Sequence, residues 1–305
     1  MIIHDVSERI TADELAREFT EFRPRLHSIA YRLLGSAWDA DDVVADAMVR
    51  WMRVDRPAIR EPLAFLTTVV TRLALDQLRS ARATRERYVG EWLPEPVLTD
   101  PYQLGPLDTV ERREAVSLAT LRMMETLSPP ERAVLVLHEA FDLTHAEIAD
   151  ILDITEEGAR QHLRRARARL HADTRRSPPA VHDAAMERFL TALEEGDLDR
   201  VQDLLAADVV SYSDGGGKAR AASRPIVGAN EVSHFFTTLR RRLTIRDVRT
   251  LPVNGETAAT LWFGRQYAVL ALDVRDGTIR EMQWIMNPDK LRYLRRQLAL
   301  AAWRF

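Results

Sequence analysis

The 305-residue sequence contains no cysteine. That excludes disulfides, thiol nucleophiles and cysteine-based metal sites, and it fits a cytoplasmic setting. No apolar run approaches twenty residues, so no transmembrane span is expected. The first residues, MIIHDVSERITADE, lack a basic stretch followed by an apolar one, which argues against secretion. Lysine is almost missing: 41 arginines stand against two lysines, Lys218 and Lys290, a bias that a GC-rich genome produces. Net positive charge is missing too, the formal balance being -3. This does not exclude a nucleic-acid partner, because local basic density sets phosphate affinity. Residues 158–170 carry five Arg and no acid, whereas residues 84–110 carry two Arg against five acids.

The stretch from Leu143 to Leu170 (LTHAEIADILDITEEGARQHLRRARARL) is the most informative. Thr144 and Glu147 form a capping box, so a helix is expected to start there and run to about Leu152. Asp153 falls at the turn, where a left-handed conformation is needed, and Asp tolerates that better than most residues. Thr155 can cap a second helix, with Glu156 and Glu157 at its positive end. Ala159, Leu163, Ala166 and Leu170 make one buried stripe in it. Arg160, Arg164 and Arg167 lie beside that stripe, with Arg165 and Arg169 further round. This reads as a helix-turn-helix whose second helix faces DNA. The plain alternative is a solvated Arg face.

The length allows two or three domains. Thr11 and Glu14 form another capping box, followed by a stripe of Leu15, Phe19, Phe22, Leu26, Ile29 and Leu33 that ends at Gly35. The next helix opens with Asp39, Asp41, Asp42 and Asp46 and buries Val43, Ala47 and Trp51. Pro62 begins a long helix. Residues 88–110 hold four prolines and read as a linker, within which Trp92 and Leu93 of WLPEP are expected to dock on something. Helices return from Val110 to about Asp173, one of them opened by Ser128-Pro129-Pro130-Glu131. After Ser177-Pro178-Pro179 the character changes. Helices are expected at Ala184–Glu195, Asp199–Leu205 and Glu231–Leu243, and strands at 209–213, 244–253, 257–263, 266–274 and 278–286. Asn254-Gly255 and Asp276-Gly277 are hairpin turns between strands. Helices packed on one face of a curved sheet give an α+β domain. Asn287–Phe305 closes the chain as an amphipathic helix.

Two helical modules joined by a linker, the second ending in the helix-turn-helix, resemble bacterial sigma factors of the extracytoplasmic-function type. AYRLLGSAWDADDVVADAMVRWMR followed by FLTTVVTRLALDQLRS is similar to their region two. LSPPERAVLVLHEAFDLTHAEIADILDITEEGARQHLRRARARL is similar to region four. ERFLTALEEGDLDRVQDLLAADVVSYSDGGGK resembles a SnoaL-like domain, the polyketide-cyclase-type cone. WLPEP, DGGGK and NPDKL resemble three marks of the SigJ-like subgroup, in which a SnoaL-like domain is fused to the sigma modules. The expected fold is therefore multidomain: two all-α sigma domains, then an α+β cone with a curved antiparallel sheet. The expected divisions are 1–87 (region two), 88–110 (linker), 111–173 (region four), 174–182 (linker), 183–291 (SnoaL-like) and 292–305 (helical tail).

The resemblance implies an alternative sigma subunit that takes core RNA polymerase to promoters and helps open them. Region four would read the minus-thirty-five element in the major groove through Arg160, Gln161, Arg164, Arg165 and Arg167. Arg can fork to guanine or clamp phosphate, and Gln can pair with adenine, so Arg160 and Gln161 are assigned to bases and the later arginines mostly to phosphate. Glu156 and Glu157 would turn away from DNA, or one would accept from a cytosine. Arg72, Asp76 and Arg79 share a helix face in region two. The resemblance puts Arg72 in the pocket for an extruded minus-ten base, with Arg56 and Arg60 on a lid contacting the open strand or standing as solvated surface. Asp39, Asp41, Asp42 and Asp46 match the segment that binds the polymerase clamp helices, and region four would meet the flap. The alternative for these acids is plain complementation of a helix dipole. No cofactor is implied.

Gly215, Gly216 and Gly217 of DGGGK permit positive φ, so the motif is either a structural turn or a loop presenting Lys218 to another domain. A phosphate cradle is only weakly indicated, since P-loop spacing is absent. Interdomain regulatory contacts are expected for Trp92, Leu93, Pro94, Asp214, Gly215–Lys218, Asn287, Pro288, Asp289 and Lys290, with the C-terminal domain and its tail modulating the sigma core in cis. Two rival readings remain. One is a helix-turn-helix regulator with a small-molecule ligand in the C-terminal domain. The other is an enzyme with a pocket formed by Asp214, His234, Tyr212, Trp262, Tyr267 and Trp284, although no acid–base pair stands out by spacing.

Overall fold

The computed structural model describes residues 11–55, 59–85, 88–99, 116–170, 177–242 and 244–302, without the side chains of 81–85, 237, 239–242 and 300–302. Arg56, Leu243, Phe305 and the expected linker beyond Thr99 lie outside the described residues. The chain divides into two compact units. One comprises the described residues up to Leu34, Trp38–Ser80 and Pro129–Ala166. The other comprises Gly35–Ala37, Ala81–Ser128 and the chain from Arg167 onward. No described helix is long and apolar enough to cross a membrane.

The first unit is helical, built from α1 (Ala12–Leu34), α2 (Ala37–Trp51) from Trp38 on, α3 (Pro62–Arg85) up to Ser80, α5 (Pro129–Phe141), α6 (His145–Leu152) and α7 (Glu156–Arg169) up to Ala166; α4 (Leu118–Met124) belongs to the second unit. Thr11 and Glu14 start α1 as a capping box, Thr11 N–H to Glu14 at 2.7 Å and Glu14 N–H to Thr11 Oγ1 at 3.3 Å. Leu15, Phe19, Leu26, Ile29 and Leu33 are buried along it. Trp51 is fully buried at the end of α2, and its indole N–H donates to Leu15 O at 3.0 Å, so the ring is packed without an unmet donor. The Thr144–Glu147 capping box is formed, and Asp153 is left-handed at φ 55°, ψ 52°, so the turn of the helix-turn-helix is built as the sequence indicates.

In the second unit, α4 (Leu118–Met124) precedes the C-terminal domain, which opens with α8 (Pro179–Glu195) and α9 (Leu198–Leu204). Gly196 ends α8 in the left-handed conformation at φ 74°, and Asp197 caps α9. β1 (Leu205–Asp214), β2 (Ile226–Val227), α10 (Ala229–Arg242), β3 (Ile245–Val253), β4 (Glu256–Phe263), β5 (Gln266–Arg275), β6 (Thr278–Ile285) and α11 (Pro288–Ala302) follow. The sheet runs β2-β1-β6-β5-β4-β3. The sheet is mostly antiparallel as expected, with one parallel pairing and one strand that the sequence reading did not include. β1 pairs parallel with β6, and the two-residue β2 extends the edge beyond β1. β1 also starts at Leu205, so the second helix stops at Leu204 and the strand is longer than expected.

Register sorts the side chains onto two faces. Val209, Met282, Trp284, Leu270, Leu272 and Leu261 share the inner face, where they pack with Phe189, Phe236 and Phe263 in one buried cluster. Trp284 lies 5.4 Å from Phe236 and 5.2 Å from Phe263, ring centroid to ring centroid. The outer face carries Tyr212, Asp214, Glu281, Gln283 and Asp273. That polar face is where the linker and α4 are held.

Candidate nucleic-acid interface and linker latch

The second helix of the helix-turn-helix, α7, is capped by Thr155, whose hydroxyl accepts from Gly158 N–H at 3.0 Å. Ala159, Leu163 and Ala166 are buried, which turns Arg160, Gln161, Arg164, Arg165 and Arg167 outward, all exposed. Glu156 and Glu157 lie along the helix against the residues expected to read bases. Arg160 pairs with Glu156 and lies 3.6 Å from Glu157, and Gln161 donates to Glu157 at 3.3 Å. Exposed pairs of this kind contribute a few tenths of a kcal/mol, so they orient the side chains without holding them from a stronger partner. Arg165 lies 3.6 Å from Glu131, a buried carboxylate at the start of α5.

The acids of α2 differ in their surroundings. Asp41 takes Arg23 at 3.1 Å and approaches His27 at 3.6 Å, and so is used within the fold. Asp42 and Asp46 are exposed one turn apart beside Val49, a branched apolar side chain left 48% exposed. Asp39 is half-buried. On α3, Arg79 pairs with Asp76 at 3.0 Å, while Arg72 donates to two main-chain carbonyls of α6. Arg60 is exposed.

The three short motifs of the second unit converge on Asp214, which is fully buried at the end of β1. Its carboxylate accepts from Tyr88 Oη at 2.6 Å, from Leu93 N–H at 2.9 Å and from Lys290 Nζ at 2.6 Å. Lys290 also donates to Leu93 O, and its ammonium lies 4.0 Å from the Trp92 ring centroid and 5.0 Å from that of Tyr88. A compact ammonium can sit between two rings and two oxygens where a planar guanidinium would not, which explains a lysine in so arginine-rich a chain. Asn287 donates to Tyr88 Oη at 2.6 Å. Burial, reinforced by the Asp214 hydrogen bond, pushes the Tyr88 phenol well above its ordinary value, so it serves as a donor at neutral pH. Gly216, at φ 56°, lies under this cluster: a Cβ there would stand 2.2 Å from Asn287 Nδ2 and 2.8 Å from Tyr88 Oη. The glycine motif is thus a close-approach turn, and Lys218 pairs with Asp289 beside it on the surface.

Further contacts hold the same stretch and were not legible in the sequence. Asn254, in a hairpin turn, accepts from Val97 N–H at 3.0 Å and donates to Val116 O at 3.0 Å. Leu98 bridges Val253, and its N–H donates to Gln297 of α11 at 2.9 Å. Glu95 is buried with its carboxylate on Ala37 N–H at 2.7 Å and its own N–H on Gly35 O at 2.8 Å. Arg122 of α4 donates through Nε to Glu281 at 2.7 Å and through Nη2 to the other oxygen, with its guanidinium 4.0 Å over the Tyr212 ring. Gln283 donates to the same Glu281 at 2.6 Å.

The residues considered for an enzymatic or ligand pocket do not converge. Trp284 is in the inner-face cluster and His234 is exposed on α10. Tyr212 lies beneath Arg122, Trp262 packs on Tyr267 at 5.3 Å, and Asp214 is consumed by the latch. No shared space brings an acid and a base together among them.

A helix-turn-helix with an exposed arginine face, a second helical module and a linker held by an α+β domain define a transcription initiation subunit with a fused accessory domain. Comparison with known proteins agrees. Residues 19–84 match the family model of sigma-70 region 2, residues 117–170 that of sigma-70 region 4, and residues 186–282 that of the SnoaL-like domain. The chain is 38% identical over 287 residues to the ECF RNA polymerase sigma factor SigJ of Mycobacterium tuberculosis, covering 90% of this chain and 92% of that protein. It is 31% identical over 299 residues to the probable ECF RNA polymerase sigma factor SigI of the same species, covering 94% and 98%. The crystal structure of the Mycobacterium tuberculosis extracytoplasmic function sigma factor SigJ matches with a TM-score of 0.75 at 35% identity, over 91% of this chain and 98% of that one. The chain belongs to the extracytoplasmic-function RNA polymerase sigma factors and carries a C-terminal SnoaL-like domain. It directs RNA polymerase to promoters and is not an enzyme. The SnoaL-like model begins at residue 186, yet α4, within the region-four match, clusters with that domain's unit.

Proposed function

We propose that this sigma factor works in the cytoplasm with two reading heads and is controlled in cis by its SnoaL-like domain. Region four reads the minus-thirty-five element with Arg160 and Gln161 on bases and Arg164, Arg165 and Arg167 mainly on phosphates, an assignment that their joint exposure on α7 supports. Region two takes the minus-ten strand through Arg72 and Arg79, with Arg56 and Arg60 on the lid. The exposed Asp42, Asp46 and Val49 face of α2, with Asp39 and Asp41 nearby, meets the polymerase clamp helices, and region four meets the flap. The domain divisions fall at 87/88, 110/111, 173/174, 182/183 and 291/292.

One observation carries the control. The linker and the start of region four, on either side of residues 100–115, are bound to the SnoaL-like domain, through Asp214 and Lys290 at residues 88–93, Asn254 at 97 and 116, and Glu281 at 122. Two heads can match a promoter spacer only if the linker is free to set their separation. Initiation from a cognate promoter by sigma-free core polymerase, supplemented with full chain, tests the reading. The full chain should initiate, and Asp214→Ala or deletion of residues 292–305, which removes the Gln297 contact, should change the output severalfold. Unchanged output from both would sink cis control, and no initiation by any form would sink the assignment of heads.

A further inference from the structure

The unit that contains α1–α3 and α5–α7 holds a contact that the reading of Arg72 as a minus-ten residue leaves unexplained. At the C-terminal end of α6, Asp153 N–H and Ile154 N–H both donate to Ala149 O. The next two carbonyls are then without a helical donor, as at any helix end. Arg72 supplies both: its Nε donates to Ile151 O at 2.9 Å and its Nη2 to Asp150 O at 3.2 Å. A guanidinium at a helix C-terminus is also favoured by the partial negative charge there.

A second anchor lies between α1 and α5. Arg132, only 1% exposed, donates to Arg32 O at 3.1 Å, and the Phe141 ring has the guanidinium carbons of Arg25 and Arg32 at 5.3 and 5.7 Å. That anchor is buried and apolar in part, whereas the Arg72 contact is at an exposed side chain. The Arg72 contact is therefore the exchangeable one.

We propose that Arg72 is contested: the C-terminal turn of α6 and the minus-ten strand compete for one guanidinium. While Arg72 caps α6, its Nε and one Nη are committed to carbonyls, and the helix-turn-helix is tied to the face that would hold the extruded base. Capture of the base releases α6, and release of α6 exposes the base site, so the two reading heads are coupled reciprocally. This rests on the minus-ten assignment made above.

The test uses the full chain, whose lack of cysteine lets two be introduced cleanly, Ser80→Cys on α3 and Ala146→Cys on α6, both at exposed positions. Spin labels there report the distance between the helices. Arg72→Ala should raise the ratio of open to closed population about tenfold, the effect of losing two charge-assisted bonds at a surface site. Arg72→Lys should fall between, because an ammonium keeps the charge at the helix end but not the forked geometry. Superimposable distributions for Arg72 and both variants, with melting unchanged, would overturn the proposal. Promoter initiation by the same variants separates it from its premise. Opening without loss of initiation would keep the contact and remove competition with the base. Loss of initiation without opening would keep the base assignment and remove the contact as a lock.

Discussion

Lys290→Met is the sharpest single perturbation of the linker latch. The side chains of Lys290 and Asp214 are 7% and 0% exposed, and they meet at 2.6 Å. Methionine keeps the length of the apolar stem against Trp92 but strands the Asp214 carboxylate. Removing one member of a buried pair costs about 3–5 kcal/mol, mainly through the uncompensated partner. Tyr88 Oη and Leu93 N–H still donate to that carboxylate, which places the cost near the lower end. About 3 kcal/mol corresponds to roughly a hundredfold in an opening equilibrium. A single melting temperature is a poor readout for a chain of several domains, because unfolding need not be two-state. Amide exchange at Leu93, whose N–H is bonded to Asp214, reports the latch directly, and its protection should fall roughly a hundredfold. Adding Asp214→Asn to Lys290→Met should restore part of that protection, because the stranded charge is then gone. Exchange at Leu93 within a factor of two of wild type in Lys290→Met would refute the reasoning, since the pair would then be contributing nothing that its neighbours do not replace.

Three further outcomes follow from single sites. Gly216→Ala should loosen the same latch far more than Gly217→Ala, because both are left-handed but only at Gly216 does a Cβ meet polar atoms below 3 Å, the Gly217 Cβ meeting Val89 at 3.4 Å; amide exchange at Leu93 compares them. Asp153→Gly should stabilise the helix-turn-helix by about 0.5–1 kcal/mol by relieving a left-handed non-glycine residue, and denaturation followed on that module would contradict this if stability fell. Burial, with Arg165 beside it, holds the His162 imidazole below its ordinary value of 6.5, so the folded helix binds this proton less readily than the unfolded chain. Its contribution to stability is complete above pH 6.5 and is lost as pH falls through the lowered folded value; His162→Gln should flatten that acid limb, and an unchanged profile would remove the cause.

The helix-turn-helix was legible because its signals are local. Thr144 and Glu147 are three residues apart, Asp153 announces its own backbone conformation, and a 3.6-residue period exposes the arginine face. The hairpins were legible for the same reason, with Asn254-Gly255 and Asp276-Gly277 all at positive φ. The parallel pairing of β1 with β6 was not, because it joins residues with four strands and a helix between them and leaves no local pattern. The latch was legible as a set of motifs but not as an arrangement. Nothing near Arg122 points to Glu281, 159 residues away, and nothing near Glu95 points to Ala37. Arg72 shows the same limit: its helix face was evident, and its bond to α6 was not.

The two faces of the sheet bear on where the proposed cis control can act. The inner face is filled by Phe189, Phe236, Phe263 and Trp284, which serve as the domain's own core. The outer face carries the acids Asp214 and Glu281 on neighbouring strands; Asp214 holds the linker and Glu281 holds α4, the first helix of the region-four match. Both ion pairs are largely desolvated: the side chains of Arg122 and Glu281 are 21% and 11% exposed, and Asp214 is fully buried. Pairs in that setting are screened far less by salt than surface pairs. The Tyr88 phenol, pushed up by burial, keeps its full contribution below its ordinary value of 10.0 and loses it only as pH rises through the higher folded value, so neutral pH does not open the latch either. A signal on the proposed pathway would therefore act by displacing these contacts with competing ones, as polymerase or DNA binding to the linked modules would, because salt screens the pairs weakly and the Tyr88 donor is retained at neutral pH.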